Sequence, residues 1–315
     1  MEKDASEAVK QKQKSYLNPP PPGNRSCPWL VICHGREGQR QTFYDVSEYH
    51  HHTKIIPDLH DKWICPISSH EWLFTGDRDS GDCCLWNPAS LEKIRLPPLE
   101  DLACSFCFLS SSPGDPQSYV LVVDRGEDII GYCKSGEDTF KRHKVEPHIS
   151  CATMFKGEIF LLLQYCELAI VDIENSELRI RMLGNKDVNC SNPEGIPASR
   201  DYLVPSGEDL LIVEEMILLA LPMGKIYRFN VFRMNFEEGT WEELKSIGDR
   251  AIFLSAHGGI SCSPKDSGVK KNAIYFVEDG NGHIRMYDLE DQSISKVSPC
   301  SNINYRSSNL YWIML

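Results

Sequence analysis

Positive charge is in short supply in this sequence: 33 Lys and Arg stand against 45 Asp and Glu, a formal net charge of −12 over 315 residues. Binding to a phosphate backbone needs a basic surface, so the balance argues against a nucleic-acid partner. It equally disfavours docking on anionic lipid. Long apolar runs are also missing. The most apolar stretch, Leu210–Leu221, is interrupted by Glu214 and Glu215, and it is too short and too charged to span a bilayer. Met1–Tyr16 is charged and has no apolar core of a secretory leader. These absences predict a soluble protein of the cytoplasm, the nucleus or both.

Motifs that carry chemistry are equally scarce. The run His257-Gly258-Gly259 has no Lys-Ser/Thr after it and opens no helix, so it reads as a strand-to-strand turn rather than a phosphate cradle. No G-x-S-x-G elbow, H-E-x-x-H pair or EF-hand loop is present. Asp77, Asp79 and Asp82 with Gly76 and Gly81 read as a solvated acidic hairpin. Cys104 and Cys107 have C-x-x-C spacing, but a zinc ribbon needs a second pair. The adjacent Cys83-Cys84 is poorly built to supply one, and strand alternation would set Cys104 and Cys107 on opposite faces. His50-His51-His52, with His60 downstream, reads as a solvated segment in which His50 and His52 share a face. No catalytic, cofactor-binding or metal-ligating residue is therefore assigned, and the expectation is a non-enzyme without a cofactor.

What the sequence does contain is apolar material and punctuation. Apolar residues make up 41% and charged residues 25%, enough for a packed core. Thirteen cysteines, several of them inside apolar runs such as Trp29–Cys33, read as free thiols behaving as small core hydrophobes. Nineteen Pro and 21 Gly break the chain too often for long helices. Residues 1–28, ending in the run Pro19–Pro22 and Gly23, read as a disordered or short-helical tail. From residue 29 to 315, apolar runs of a few residues alternate with turns rich in Gly, Asp, Asn and Ser.

The strands group in fours at a spacing of about 40 residues, a propeller-blade period. The groups fall at 29–57, 63–97, 103–145, 150–183, 200–246 and 250–297. The fold predicted is an all-β propeller of six blades, with seven as the alternative. The apolar ending Leu310-Tyr311-Trp312-Ile313-Met314-Leu315 is expected to supply a strand that closes the ring, because an open sheet edge invites association.

Several blocks resemble the plant F-box-associated, KIB-type β-propeller proteins. Trp72-Leu73-Phe74, Leu85-Trp86-Asn87-Pro88 and Ile94-Arg95-Leu96-Pro97-Pro98-Leu99 are similar to that family's "gWLl … lwNP.t … i.LPpl" theme. Tyr202-Leu203-Val204 with Leu210-Leu211-Ile212-Val213 resembles its "LVes.geLLlV" strand pair. Trp241 through Leu254 resembles "W.ev.slGdralFlg", and Asn272-Ala273-Ile274-Tyr275-Phe276 resembles "n.iYF.dd". In these positions Asn87 and Pro88 suit a strand end, and Gly248-Asp249 a tight turn, with Arg250 available to Asp249 or a neighbouring blade.

The resemblance implies a propeller that recognises an unknown target protein through the loops of one open face. In full-length members an N-terminal F-box binds the Skp adaptor of a cullin ubiquitin ligase. Residues 1–28 lack the "Lp.dll..Il..L" start of that module and are short and polar, so no direct Skp contact is expected of them. The alternatives are a propeller enzyme working in its central channel and a degenerate F-box-less paralogue with no ligase role.

Overall fold

A computed structural model describes residues 27–34, 38–48, 50–67, 72–77, 80–87, 90, 92–184, 198–220, 224–264, 268–278, 283–297 and 309–314. The expected tail, residues 1–28, falls almost wholly outside them. Apart from two single-turn 3-10 segments at Pro57–Leu59 and Gln164–Cys166, every regular element among the described residues is a strand.

Six sheets make six blades. Blade 1 holds β1 (Trp29–His34), β2 (Arg40–Asp45) and β3 (His50–Ile55); blade 2 runs β4 (Lys62–Pro66), β5 (Leu73–Asp77), β6 (Cys83–Trp86) and β7 (Lys93–Leu96). Blade 3 is β8 (Phe106–Leu109), β9 (Tyr119–Asp124), β10 (Ile129–Lys134) and β11 (Lys141–Lys144). Blade 4 is β12 (Ile149–Phe155), β13 (Glu158–Leu163), β14 (Leu168–Glu174) and β15 (Glu177–Gly184). Blade 5 is β16 (Ala198–Ser206), β17 (Asp209–Ala220), β18 (Gly224–Asn235) and β19 (Thr240–Leu244). Blade 6 comprises β20 (Ala251–Ser255), β21 (Gly258–Cys262), β22 (Ala273–Val277), β23 (Ile284–Asp288) and β24 (Ile294–Val297). The last strand, β25 (Asn309–Ile313), joins blade 1 beside β1.

That pairing closes the ring. β25 lies antiparallel to β1 with Leu30 opposite Trp312. The Trp312 indole meanwhile donates to the Leu254 carbonyl of blade 6 at 3.0 Å and meets Phe253 edge-on. One strand therefore belongs to the first blade's sheet and packs on the last blade. The apolar C-terminal side chains expected to be ordered are so: Tyr311 and Trp312 are buried.

Burial is organised between blades, as it must be when a single sheet cannot cover both its faces. One cluster joins blades 1 and 6 around Leu30, Phe253 and Trp312. Another joins blades 2 and 3 around Phe74, Leu85 and Val122. A third joins blades 5 and 6 around Phe229, Ile252 and Phe276. The largest runs from blade 3 through 4 to 5.

Two elements depart from the sequence reading. Leu210–Val213 and Met216–Ala220 are one strand, β17, although Glu214 and Glu215 read as a break. Each has a cross-strand partner. The buried Glu215 accepts from the Tyr202 hydroxyl at 2.9 Å, and Glu214 accepts from Asn230 at 2.8 Å. Blade 6 has five strands rather than four. β21 folds back on the inner side of β20, and the chain then crosses to lay β22 parallel to β20 on its other side. Gly259 permits this: a Cβ there would sit 2.5 Å from Val204 of β16, so β21 can approach blade 5 only without a side chain.

The cysteines are mostly as read. Ten described cysteines are free, eight of them buried. Cys166 is the correction: it is disulfide-bonded. It lies not inside a strand but in the turn between β13 and β14, with positive φ like its neighbour Tyr165.

Candidate interaction face

Antiparallel strands put alternate hairpins at opposite ends of a blade. The β8–β9, β10–β11, β12–β13 and β14–β15 turns of blades 3 and 4 share one end, and there they enclose a cleft of about 470 Å³ lined by Ser110, Gln117, Tyr119, Lys134, Glu158 and Asn175 among others.

Its walls are tied together by hydrogen bonds. The Tyr119 hydroxyl of blade 3 donates to Ser176 of blade 4 at 3.0 Å, and the Tyr119 N–H donates to Ser110 at 2.8 Å. The Lys134 ammonium lies 4.9 Å above the Tyr119 ring and donates to Gln117 at 2.6 Å. Asp115 holds the β8–β9 loop by accepting from the Gln117 N–H and the Ser111 hydroxyl. Asn175 and Ser176 turn the chain with positive φ, as do Lys156 and Gly157. The cleft is thus a rigid seam between two blades, presenting hydroxyls, amides, one cation and the carboxylates of Glu158 and Asp172.

Beside it, at the same end, stands an aromatic patch shared by blades 4 and 5. Phe236, in the β18–β19 turn, is 46% exposed. It stacks on Phe155 with centroids 6.2 Å apart and meets Phe160 edge-on. Lys156 sits 5.1 Å over the other ring, Phe155, and pairs with Glu208 of the β16–β17 turn at 2.8 Å. The lysine holds Glu208 below the usual carboxylate range, first by its hydrogen bond and then by its charge. A large apolar ring held in place by a second ring, with charges at its rim, has the anatomy of an interface anchor.

The axis, where a propeller enzyme would work, is crowded. β21 contacts β16 and β25 and also reaches β12, which in turn touches β8. The His257 ring of the β20–β21 turn meets Tyr311 of β25 edge-on, with centroids 6.5 Å apart. Among the described residues no group of three or more His, Cys, Asp and Glu side chains is placed to hold a metal ion.

The residues singled out in sequence fall as follows. Cys104 is half-buried outside the strand and Cys107 is buried within β8. His50, His51 and His52 form the exposed start of the outer strand β3, and His60 follows the first 3-10 turn. Of the acidic hairpin, Asp77 pairs with Lys62 at 2.7 Å and accepts from the Ser80 N–H, while Asp79 lies outside the described residues. Asn87 caps its turn by accepting from the Ser90 N–H. Arg250 turns away from Asp249 and donates to Ser261 at 2.9 Å, with its guanidinium beside Gly207 of blade 5. The turn at His257-Gly258-Gly259 is indeed between strands, yet it places an imidazole at the axis. Sequence reading did not mark Phe236, Tyr119 or Lys134. A lone Phe between Asn and two Glu, in a turn where nothing apolar is needed, was the available signal.

Comparison with known proteins agrees with this architecture. The KIB1-4 beta-propeller family model matches residues 43–288. The F-box/kelch-repeat protein KIB1 of Arabidopsis thaliana is 25% identical over 304 residues, covering 91% of this chain and 74% of that protein. The F-box protein KIB4 of the same plant is 24% identical over 295 residues, covering 80% and 71%. With six blades, a closing terminal strand and a family match over most of its length, this chain belongs to the KIB1-4 β-propeller family.

Proposed function

We propose that this propeller is a protein-recognition module whose partner docks on the end formed by the cleft of blades 3 and 4 and the Phe236 patch. The observation that carries the reading is the exposed Phe236 ring, braced by Phe155 and Phe160 and rimmed by Lys156 and Glu208. A solvated turn has no use for a pre-packed aromatic, whereas an interface does. The adjoining cleft supplies directional polar groups for specificity.

The relatives are F-box proteins by name, which supports target selection for a ubiquitin ligase as the biological role. In that role the docked protein is the substrate. The crowded axis, where β21 packs on β16, β25 and β12, favours recognition over channel catalysis.

The test is quantitative affinity capture with the full chain against extracts of its own source. Wild type, Phe236→Asp with Lys134→Glu, and Tyr165→Ala on the opposite end are compared. A partner retained by wild type and by Tyr165→Ala, and lost with the double variant, supports the assignment. A partner that ignores the double variant refutes this face. Co-capture of cullin-ligase subunits supports the ligase role, and a specific target without them favours recognition uncoupled from a ligase.

A further inference from the structure

The β18–β19 turn carries the sequence Asn235-Phe236-Glu237-Glu238-Gly239. Its backbone is fixed from within. Asn235 Oδ1 accepts from the Glu237 and Glu238 N–H groups at 3.1 and 3.2 Å. The Gly239 N–H donates to the Asn235 carbonyl at 2.9 Å, and Gly239 ends the turn with a φ of 68°. An Asx-type turn of this kind leaves the chain little freedom. Two exposed glutamates are thereby kept next to the exposed Phe236.

The ring offers one face to a partner. It stacks on Phe155 at an interplanar angle of 8°, yet it is 46% exposed, so the face away from Phe155 is open. An aromatic face is electron-rich and attracts a cation. The same patch already shows this contact, since Lys156 lies 5.1 Å over the Phe155 ring. The cations nearby are spoken for: Lys156 pairs with Glu208 at 2.8 Å, Arg233 with Glu242 at 2.7 Å and Arg179 with Glu174 at 2.9 Å. The carboxylates of Glu237 and Glu238 enter no ion pair with a described residue. An open π face and two uncompensated charges of the same sign thus sit together. The cleft of blades 3 and 4 has the opposite character at its floor, where Lys134 lies against Tyr119 and Gln117. A surface turn that served solubility alone would keep the glutamates and have no need of a phenylalanine braced by two further rings.

We propose that the Phe236 turn receives a basic segment of the partner protein, with an arginine or lysine cation resting on the open face of Phe236 and paired with Glu237 or Glu238. The inference rests on the docking end proposed above and adds the chemistry of what docks there. Arginine fits the site better than lysine. Its planar guanidinium stacks on a ring while its N–H fork reaches a carboxylate at the rim. Arginine and aromatic side chains are also the pair most often found at the energetic centre of an interface. The net charge of −12 draws such a segment towards the chain, and the Phe236 turn fixes where its cation comes to rest.

The experiment selects binders from a display library of random peptides on the full chain and measures the selected peptides by fluorescence anisotropy. Enrichment of Arg or Lys beside an apolar residue is expected. Replacing that Arg by Gln in the peptide, or Phe236→Ala in the protein, should weaken binding about fivefold or more, the scale of one cation–π contact. Glu237→Lys with Glu238→Lys should weaken it about tenfold or more through like-charge contact, and a fresh selection on that variant should turn to Asp and Glu. Glu92→Lys with Glu100→Lys makes the same change of net charge on blade 2, where both residues are exposed, and should have little effect. Thermal melts check that each variant keeps its fold. Neutral or acidic peptides that still depend on Phe236 would overturn the basic-segment assignment and leave the docking end standing. Peptides indifferent to Phe236→Ala would refute the docking end itself. Equal losses from the two charge reversals would reduce the effect to general attraction by an acidic chain and overturn the proposal, as would a selection that yields no binder.

Discussion

Asp201 shows how one side chain can tune the stability of a blade. It lies in β16 directly opposite Glu214 of β17, a like-charge pair across two strands. Burial first, and Glu214 second, push its carboxyl up to about 6. A carboxyl raised in the folded state favours folding while it is protonated, and that contribution is lost as pH rises from the ordinary carboxylate range through about 6. Asp201→Asn should therefore stabilise the protein at pH 7.5, by on the order of 1–3 kcal/mol. Near pH 4 it should make little difference. Urea melts at the two pH values check this, and an equal effect at both would refute it. Gly259 is a second single-residue constraint. Gly259→Val would drive a branched side chain into Val204 and Leu254, and should cost about 1–3 kcal/mol by overpacking, measured in the same melts.

At the scale of elements, β25 is the part most dependent on long-range contact. Trp312→Ala removes a buried indole, its contact with Phe253 and its hydrogen bond to Leu254. The expected loss is about 3–5 kcal/mol, in the range for large aromatic truncations. Deleting Ser308–Leu315 should go further, lowering the melting temperature by many degrees and causing aggregation, because β1 would become an open edge. A monodisperse chain with unchanged melting would mean that the ring closes without β25. Most of this element structure was legible in advance. Short apolar runs between turn residues gave the strands, their period gave six blades, and the apolar ending gave the closing strand. The break at Glu214-Glu215 was misread because sequence shows a charge but not the Tyr202, Arg200 and Asn230 side chains that partner it. β21 was read as a strand but not as an extra one, since period alone does not tell which neighbour a strand pairs with. Parallel pairing of β20 with β22 depends on a crossing that turn residues do not announce.

For the whole molecule, the candidate sites were the least legible part. The binding end unites turns from blades 3, 4 and 5. It leaves no local pattern, because it exists only once those blades have packed together. The chain's acidic character adds a long-range field that favours partners with a basic docking surface and makes their association slower at high salt. A salt series of association rates should show that slowing, and a flat series would remove electrostatic steering from the picture. The most direct measurement is a hydrogen–deuterium exchange footprint of the purified complex with the partner recovered by affinity capture. Recognition through the end formed by blades 3 to 5 predicts new protection in residues 110–118, 155–158, 174–177 and 236–239, with the exposed edge strand β3 and the Tyr165 turn unchanged. Protection confined to the opposite end, or to the outer edges of blades 1 and 2, would contradict it.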